Sequence, residues 1–181
     1  MHFARTLVDV AWLSDDEQRT WRAYLRLQSR LGAYLNRQLL ADSRLSLADY
    51  DVLVALTDVP DGRLRVGDLA RAVDWEQSRL SHHLARMQRR DLVVRDDCVG
   101  DRRGAYIVLT EAGRRAIEAA APRHVETVRE LMFDGLTAGE VAALRTVADR
   151  ILSRLDAEQE ERVAHDPAGV GRADGHPAAE P

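Results

Sequence analysis

The sequence has no lysine, a single cysteine and few aromatic residues, and it contains no long apolar run. One cysteine cannot form an internal disulfide, which is typical of proteins from a reducing compartment. No apolar stretch approaches the roughly 20 residues needed to cross a bilayer, and the N-terminus lacks the basic and then apolar regions of a signal peptide. We therefore expect a cytoplasmic protein with no membrane partner.

The motifs of catalysis and of metal binding are missing as well. The sequence shows no nucleophile elbow, no glycine-rich phosphate loop and no carboxylate pair on a shared helix face. The neighbouring residues His82 and His83 would point about 100° apart on a helix, so they do not form a metal-binding pair. We predict no enzymatic activity, no metal site and no cofactor.

Charge is distributed unevenly along the chain. The formal net charge is −4, but the stretch from Arg63 to Arg115 contains twelve Arg and eight Asp or Glu, a local charge of +4 that leaves −8 elsewhere. A basic module on an acidic body is typical of a DNA-binding protein. All 26 basic residues are arginine, for which a GC-rich coding bias is explanation enough.

The basic stretch is predicted to contain an amphipathic helix that begins at Asp74. Asp74 and Gln77 fit a capping box at its start. At 100° per residue Leu80, Leu84 and Met87 fall on one side. A polar opposite side suits the DNA major groove, although a solvated helix face has the same pattern. The residues that we predict to contact DNA there are Ser78, Arg79, His82, Arg86 and Arg89.

A β-hairpin should follow this helix. Residues 92–95 and 105–109 are rich in β-branched side chains, and the polar, glycine-containing run 96–104 separates them. Upstream, residues 64–66 read as a short strand and residues 67–73 as a short helix. The predicted fold class is therefore mainly α with a small β-hairpin wing, a winged helix-turn-helix.

Long helices should flank this module at both ends. Capping boxes at Ser14, Ser46 and Thr137 begin helices, the first running to about residue 42 and the second to about residue 57. A further helix begins after Thr110, and Pro122 should kink or divide it. The last helix has apolar positions at intervals of three and four, which fit an intersubunit seam or an internal bundle: Val141, Leu144, Ala148, Ile151 and Leu155.

The hairpin carries the most specific signal. Asp101-Arg102-Arg103 is followed after five residues by Leu109-Thr110 and then by Glu111-Ala112-Gly113. With residues 78–84 of the preceding helix, this pattern resembles the multiple antibiotic resistance regulator (MarR) family over about residues 12–155. Asp91 departs from the family, which commonly has a helix-ending glycine there, but Asp tolerates the left-handed conformation better than most residues.

The resemblance implies a homodimer, formed by the first and last helices, that represses transcription from a pseudo-palindromic operator in double-stranded DNA of a bacterial nucleoid. It implies that Arg103 enters the minor groove. Asp101 would be unfavourable near phosphates unless paired with an arginine, so it either orients Arg103 or holds the loop, and Arg102 adds a phosphate contact or remains a solvated charge. It also implies a pocket for a small-molecule effector between the dimerisation helices and the DNA-binding lobe. Four aromatic residues either line that pocket or belong to the core or the interface: Trp21, Tyr24, Tyr34 and Tyr50.

Cys98 lies at the predicted wing tip, where it is either a redox sensor or an incidental cysteine, because nearby acidic and basic residues shift a thiol pKa in opposite directions.

We predict an N-terminal arm (1–12), a winged-helix domain (13–157) and a disordered tail (158–181). Within the domain, the DNA-binding lobe spans about 46–110 and the dimerisation helices about 14–42 and 111–157. The alternative is a winged-helix module that binds proteins or small molecules without contacting an operator, and an enzyme is a distant third.

Overall fold

The computed structural model describes residues 11–96 and 105–165, apart from the side chains of residues 162–164. In chain order the elements are α1 (Asp15–Ser43), α2 (Leu47–Thr57), β1 (Arg63–Arg65), α3 (Val66–Ala72), α4 (Gln77–Arg89), β2 (Val93–Asp96), β3 (Tyr106–Leu109), α5 (Glu111–Met132) and α6 (Ala138–His165). This is the predicted order of helices and strands. The chain divides into two compact units, which meet in sequence between Arg129 and Glu130.

Three helices begin with the capping boxes that the sequence predicts. The Ser14 hydroxyl accepts a hydrogen bond from the Glu17 amide, and the Glu17 carboxylate accepts one from the Ser14 amide at 2.7 Å. The same reciprocal pair begins α2, and a third begins α6 at Thr137. Each box satisfies amides that have no partner within the helix.

The predicted capping box at Asp74 is wrong. Helix α4 begins three residues later, at Gln77, and no side chain caps it. Asp74 instead ends α3 with a left-handed φ of 53°. Its amide donates to the Arg71 carbonyl at 3.2 Å and the Trp75 amide to the Ala70 carbonyl at 2.9 Å, the two hydrogen bonds of a Schellman motif.

The same motif ends α4. Asp91 has a φ of 57°, its amide donates to the Gln88 carbonyl, and the Leu92 amide donates to the Met87 carbonyl at 3.1 Å. Asp91 thus adopts the conformation for which the family commonly uses glycine. Both helices of the helix-turn-helix therefore end on a left-handed aspartate.

The three strands form one antiparallel sheet in the order β1-β3-β2. Leu64 of β1 pairs with Ile107 of β3, and Arg95 of β2 pairs with Ile107 from the other side. The predicted hairpin is present, with each strand within one residue of its expected start. Its tip, with Cys98, Asp101, Arg102 and Arg103, lies outside the described residues.

Helix α5 is fastened to the base of this hairpin. The Thr110 hydroxyl donates to the Asp91 carbonyl at 2.5 Å and accepts a hydrogen bond from the Gly113 amide at 2.9 Å. A Cβ atom at Gly113 would lie 2.1 Å from the Leu92 carbonyl oxygen. Only glycine permits this approach, which gives the Leu-Thr-Glu-Ala-Gly pattern a physical reason.

The hydrophobic core lies among α2, α3, α4 and the sheet. Its centre is formed by side chains without solvent contact, including Val52, Leu53, Leu56, Leu69, Leu80, Met87 and Val93. Ile117 and Ala120 of α5 complete it. No helix among the described residues combines the length and apolar character needed to span a membrane.

The C-terminal helices differ from expectation in two respects. Helix α5 runs through Pro122 from Glu111 to Met132, so the proline does not divide it, and a kink at Pro122 stays a prediction. Helix α6 continues to His165, so residues 158–165 are helical and do not belong to the tail that we predicted from 158. Residues 1–10 and 166–181, with most of the predicted arm and tail, lie outside the described residues.

Candidate nucleic-acid interface

Helix α4 has one buried and one exposed face. Leu80 and Met87 have no solvent exposure, and Leu84 is 3% exposed. The opposite face carries the five predicted contact residues, all exposed: Ser78, Arg79, His82, Arg86 and Arg89. The predicted faces are confirmed, and the contact with DNA stays a prediction. Burial of the apolar face fixes the rotation of the helix about its axis, so the polar row must point outward.

Arg79 packs on an aromatic ring. Its guanidinium lies 4.3 Å from the centroid of the Trp75 ring, within the range of a cation–π contact. Trp75 is half-buried and packs against the core. The ring therefore supports the guanidinium on the exposed face, a role for Trp75 that the sequence analysis did not predict.

His83 lies on the buried face, one position beyond the exposed His82. Its Nδ1 atom is 2.8 Å from Arg86 Nη2, and its Nε2 atom is 3.0 Å from Asp49 Oδ1. The Trp75 ring meets the imidazole edge-on, with centroids 5.3 Å apart and an interplanar angle of 89°. His83 thus connects the core side of α4 with one of the arginines on its exposed face.

Asp49 is a buried carboxylate with several donors around it. The Ser46 amide donates to it at 2.9 Å and Arg90 Nη1 at 2.7 Å. Burial opposes ionisation of Asp49, but the contacts with His83, the Ser46 amide and Arg90 outweigh it, so the pKa of Asp49 lies well below its usual range. The charged form is therefore the one that is buried.

Arg90 extends this cluster to α1. Its Nη2 atom donates to the carbonyl of Arg44, the left-handed residue that ends α1, at 2.5 Å. The cluster of Asp49, His83 and Arg90 thus joins the end of α1, the start of α2 and the helix that carries the candidate DNA contacts. No local sequence pattern predicts this cluster, because its members are far apart in the chain and Asp49 also fits a simple cap.

Basic and aromatic side chains gather where β2 ends and β3 begins. The guanidinium groups of Arg63 and Arg65 lie 4.2 Å and 4.8 Å from the centroid of the Tyr106 ring. Arg63 also forms an ion pair with Asp96 at 3.3 Å. The strands therefore hold positive charge next to the wing tip, on the same module as α4.

The four aromatic residues that were candidates for an effector pocket lie in different surroundings. Tyr50 borders an open cleft of about 580 Å³ whose acidic lining residues are Asp51, Asp58 and Asp74. Trp21 borders a different one of about 250 Å³ near Leu13 and Gln18. Tyr24 stacks on Trp21 with centroids 5.8 Å apart, and Tyr34 is half exposed.

Cation-binding clusters are absent from the described residues, since no three His, Cys, Asp or Glu side chains there are grouped as a metal ion requires. The buried histidine of α5, His124, instead packs on Tyr50 with centroids 4.2 Å apart, and burial lowers its pKa. Cys98, the redox candidate, lies outside this part of the chain.

Helix α6 leaves its apolar residues uncovered. Leu144, Ile151 and Leu155 of the predicted seam are 43–58% exposed, as are Val147 and Leu152 beside them. None of the described α6 side chains is buried. In α1, Trp21, Leu25 and Leu27 are similarly exposed, and burial is confined to Leu35 and Leu39 near its end.

Comparison with known proteins agrees with this geometry. A MarR family model matches residues 45–104. AbsC, a MarR family transcriptional regulator from Streptomyces coelicolor, is 36% identical with a TM-score of 0.76, and the match covers 82% of this chain and 99% of AbsC. A second S. coelicolor regulator of the family, solved in complex with DNA, is also 36% identical with a TM-score of 0.76, over 81% of this chain and 91% of that one.

A more distant match is BpsR of Bordetella bronchiseptica, whose DNA binding is regulated by 6-hydroxynicotinic acid. It is 26% identical with a TM-score of 0.63, over 73% of this chain and 98% of BpsR. The identity to AbsC extends over nearly the whole of that protein, and the fold and the wing pattern agree with it. The chain therefore belongs to the MarR family of transcriptional regulators.

Proposed function

We propose that the protein is a homodimer that binds a pseudo-palindromic operator in double-stranded DNA and represses transcription. Each copy places α4 in a major groove, and the two helices enter successive grooves about 34 Å apart. The wings reach the flanking minor grooves through Arg103, with Asp101 orienting that arginine and Arg102 adding charge. The protein acts by binding, without a catalytic step, on the nucleoid in the bacterial cytoplasm.

One observation carries this proposal: the exposed row of Ser78, Arg79, His82, Arg86 and Arg89 on a helix whose other face is locked into the core. Arginine donates two parallel hydrogen bonds to guanine, and serine and histidine reach base edges or phosphate oxygens. Arg63 and Arg65, which lie against Tyr106, place further positive charge on the same module.

The dimer is supported by the uncovered apolar side chains of α1 and α6. Half-exposed leucine, isoleucine and tryptophan residues at helical spacing leave a large apolar surface in water, which is unfavourable in a monomer. A second copy of the chain covers this surface symmetrically. A pseudo-palindromic operator has the matching symmetry.

A small ligand is the proposed release signal. BpsR, a relative over most of its length, responds to an aromatic acid. A ligand that binds one dimer geometry better than another changes the separation of the two α4 helices and so lowers operator affinity. The cleft beside Tyr50 is acidic, so an aromatic acid is not the expected ligand for that cleft.

The test is a DNA-binding experiment with matched variants. Genomic fragments selected by the purified protein supply the operator, and fluorescence anisotropy measures affinity across a salt series against scrambled competitor. Arg79→Ala should weaken operator binding by about 1–3 kcal/mol. Arg129→Ala, which removes the same charge from the exposed surface of α5, should change it little.

Tight, selective and salt-sensitive binding that depends on Arg79 and not on Arg129 supports the proposal. Weak and unselective binding, or equal effects of the two variants, contradicts it and favours the protein-interaction module. A monomer in light scattering at micromolar concentration contradicts the dimer.

A further inference from the structure

We propose that His83 is the positioning residue for Arg86: the buried imidazole holds the guanidinium in the orientation in which it meets DNA. This inference rests on the proposed function, because Arg86 belongs to the exposed row of α4. A residue in the protein core, His83, thereby takes part in DNA recognition.

The first step is the contact between the two side chains. Arg86 Nη2 lies 2.8 Å from His83 Nδ1. A guanidinium only donates hydrogen bonds, so Nδ1 must be the unprotonated, accepting nitrogen of the ring. The imidazole is therefore neutral with its proton on Nε2.

The second step is what holds the ring in that state. Nε2 lies 3.0 Å from Asp49 Oδ1, close enough for electrostatic attraction although the two atoms are not aligned as a hydrogen bond, and both side chains are over 90% buried. Asp49 is itself held by the Ser46 amide, which donates to its carboxylate at 2.9 Å. An ionised carboxylate next to Nε2 favours the proton on that nitrogen, which leaves Nδ1 free to accept from Arg86.

The third step is the restriction of ring rotation. Trp75 packs edge-on against the imidazole, and the His83 side chain is only 7% exposed. A ring fixed by packing and by a carboxylate offers Nδ1 at one place only. A long arginine side chain that meets a fixed acceptor loses rotamer freedom before DNA arrives, which lowers the cost of ordering it on binding.

A purely structural role for His83 makes a different prediction. If His83 only stabilised the core, its replacement would lower stability without a specific link to Arg86. Arg90 provides the matched control, because it contacts the same carboxylate of Asp49 and no described contact joins it to Arg86. Loss of Arg90 should therefore remove one hydrogen bond from Asp49 and lower stability, while the Ser46 amide keeps the carboxylate beside His83 and Arg86 stays in place.

The test is a double-mutant cycle read on operator affinity in folded dimers. His83→Leu should weaken operator binding roughly fivefold in the parent protein, and less than about twofold in an Arg86→Ala background. Arg90→Gln should lower the melting temperature and leave operator affinity within about twofold. Equal effects of His83→Leu in both backgrounds would overturn the proposal.

A measurement without DNA separates this inference from the proposed function. In the free, unaltered protein, long-range ¹H–¹⁵N correlation should show His83 with its proton on Nε2, and a proton on Nδ1 contradicts the proposal even if no variant folds. Arg86 side-chain ¹⁵N signals should broaden or shift in His83→Leu and stay in place in Arg90→Gln. If these results hold but Arg86→Ala binds the operator normally, the proposed role of Arg86 in DNA binding is wrong. The contact by which His83 positions Arg86 then still stands.

Discussion

Helices α4 and α6 both carry apolar side chains at helical spacing, but only those of α4 are buried within the chain. The 13 residues of α4 bury Leu80, Leu84 and Met87 in the core and expose a polar row. The 28 residues of α6 keep Leu144, Ile151 and Leu155 about half exposed. The first helix has its apolar partner in the same chain, whereas the second still needs one.

The difference separates two tasks. A helix that reads DNA needs a fixed rotation, which a core inside one chain provides. A helix that joins two copies needs an apolar surface that stays uncovered until the second copy arrives. The first task should thus be independent of protein concentration, and the second should depend on it.

The largest expected effect comes from a charge on α6. Ile151→Glu should convert the dimer to a monomer, because two carboxylates would be buried without partners at a cost of roughly 5 kcal/mol per dimer. Light scattering and sedimentation across a concentration series measure this. Ser153→Glu introduces the same charge about 200° away around the helix and should leave the dimer intact; dissociation of both variants would contradict the comparison.

A matched pair of leucine truncations tests the same contrast between α4 and α6. Leu80→Ala, at a fully buried position of α4, should lower the free energy of unfolding by about 3 kcal/mol at any protein concentration. Leu155→Ala, at a 58% exposed position of α6, should cost more at concentrations where the dimer forms than at those where it dissociates. Urea denaturation at two concentrations distinguishes them, and a concentration-independent cost at Leu155 would count against the dimer.

The anchoring of α4 has its own pH dependence. The pKa of Asp49 is lower in the folded chain than its ordinary value of 3.8. The stability that ionised Asp49 contributes to the fold is therefore complete above pH 3.8 and is lost as the pH falls toward the folded pKa. Asp49→Asn should cost about 2 kcal/mol at neutral pH. The difference from the parent protein in urea denaturation should shrink below about pH 4, and a constant difference would contradict the assignment.

The smallest expected effect is a difference in stability loss between two helix caps of the same type. Ser46 begins α2 beside the buried Asp49, whereas Thr137 begins α6 at an exposed position. Ser46→Ala should destabilise by about 1.5 kcal/mol and Thr137→Ala by about 0.5 kcal/mol. Thermal unfolding of the two variants checks the order, and a reversed order would show that the cluster at Asp49 adds nothing to the cap.

Local patterns predicted most of this architecture. The capping boxes at Ser14, Ser46 and Thr137 and the two faces of α4 depend on residues within one or two turns, and sequence spacing reports them directly. The pattern failed at Asp74 because the same residue type suits a helix start and a left-handed helix end. Hydrogen bonds back to Ala70 and Arg71 decided between the two.

The contacts behind the exposed row were not predictable in this way. Asp49 and His83 belong to different helices, and Arg90 is 41 residues from Asp49. Nothing in the local pattern of either segment requires the other, because tertiary packing alone brings them together. The sequence identified which side chains face outward, and the fold determined what holds them.

The close approach of Gly113 to Leu92 has a mechanical consequence. With Thr110 bonded to Asp91 and no room for a Cβ atom at position 113, the first turn of α5 and the base of the wing form one rigid joint. The 22 residues of α5 make a rod about 33 Å long. A rotation of the wing base by only about 5° would carry the rigidly attached helix with it and displace the far end of α5 by about 3 Å, so α5 acts as a lever that enlarges a small tilt of the wing.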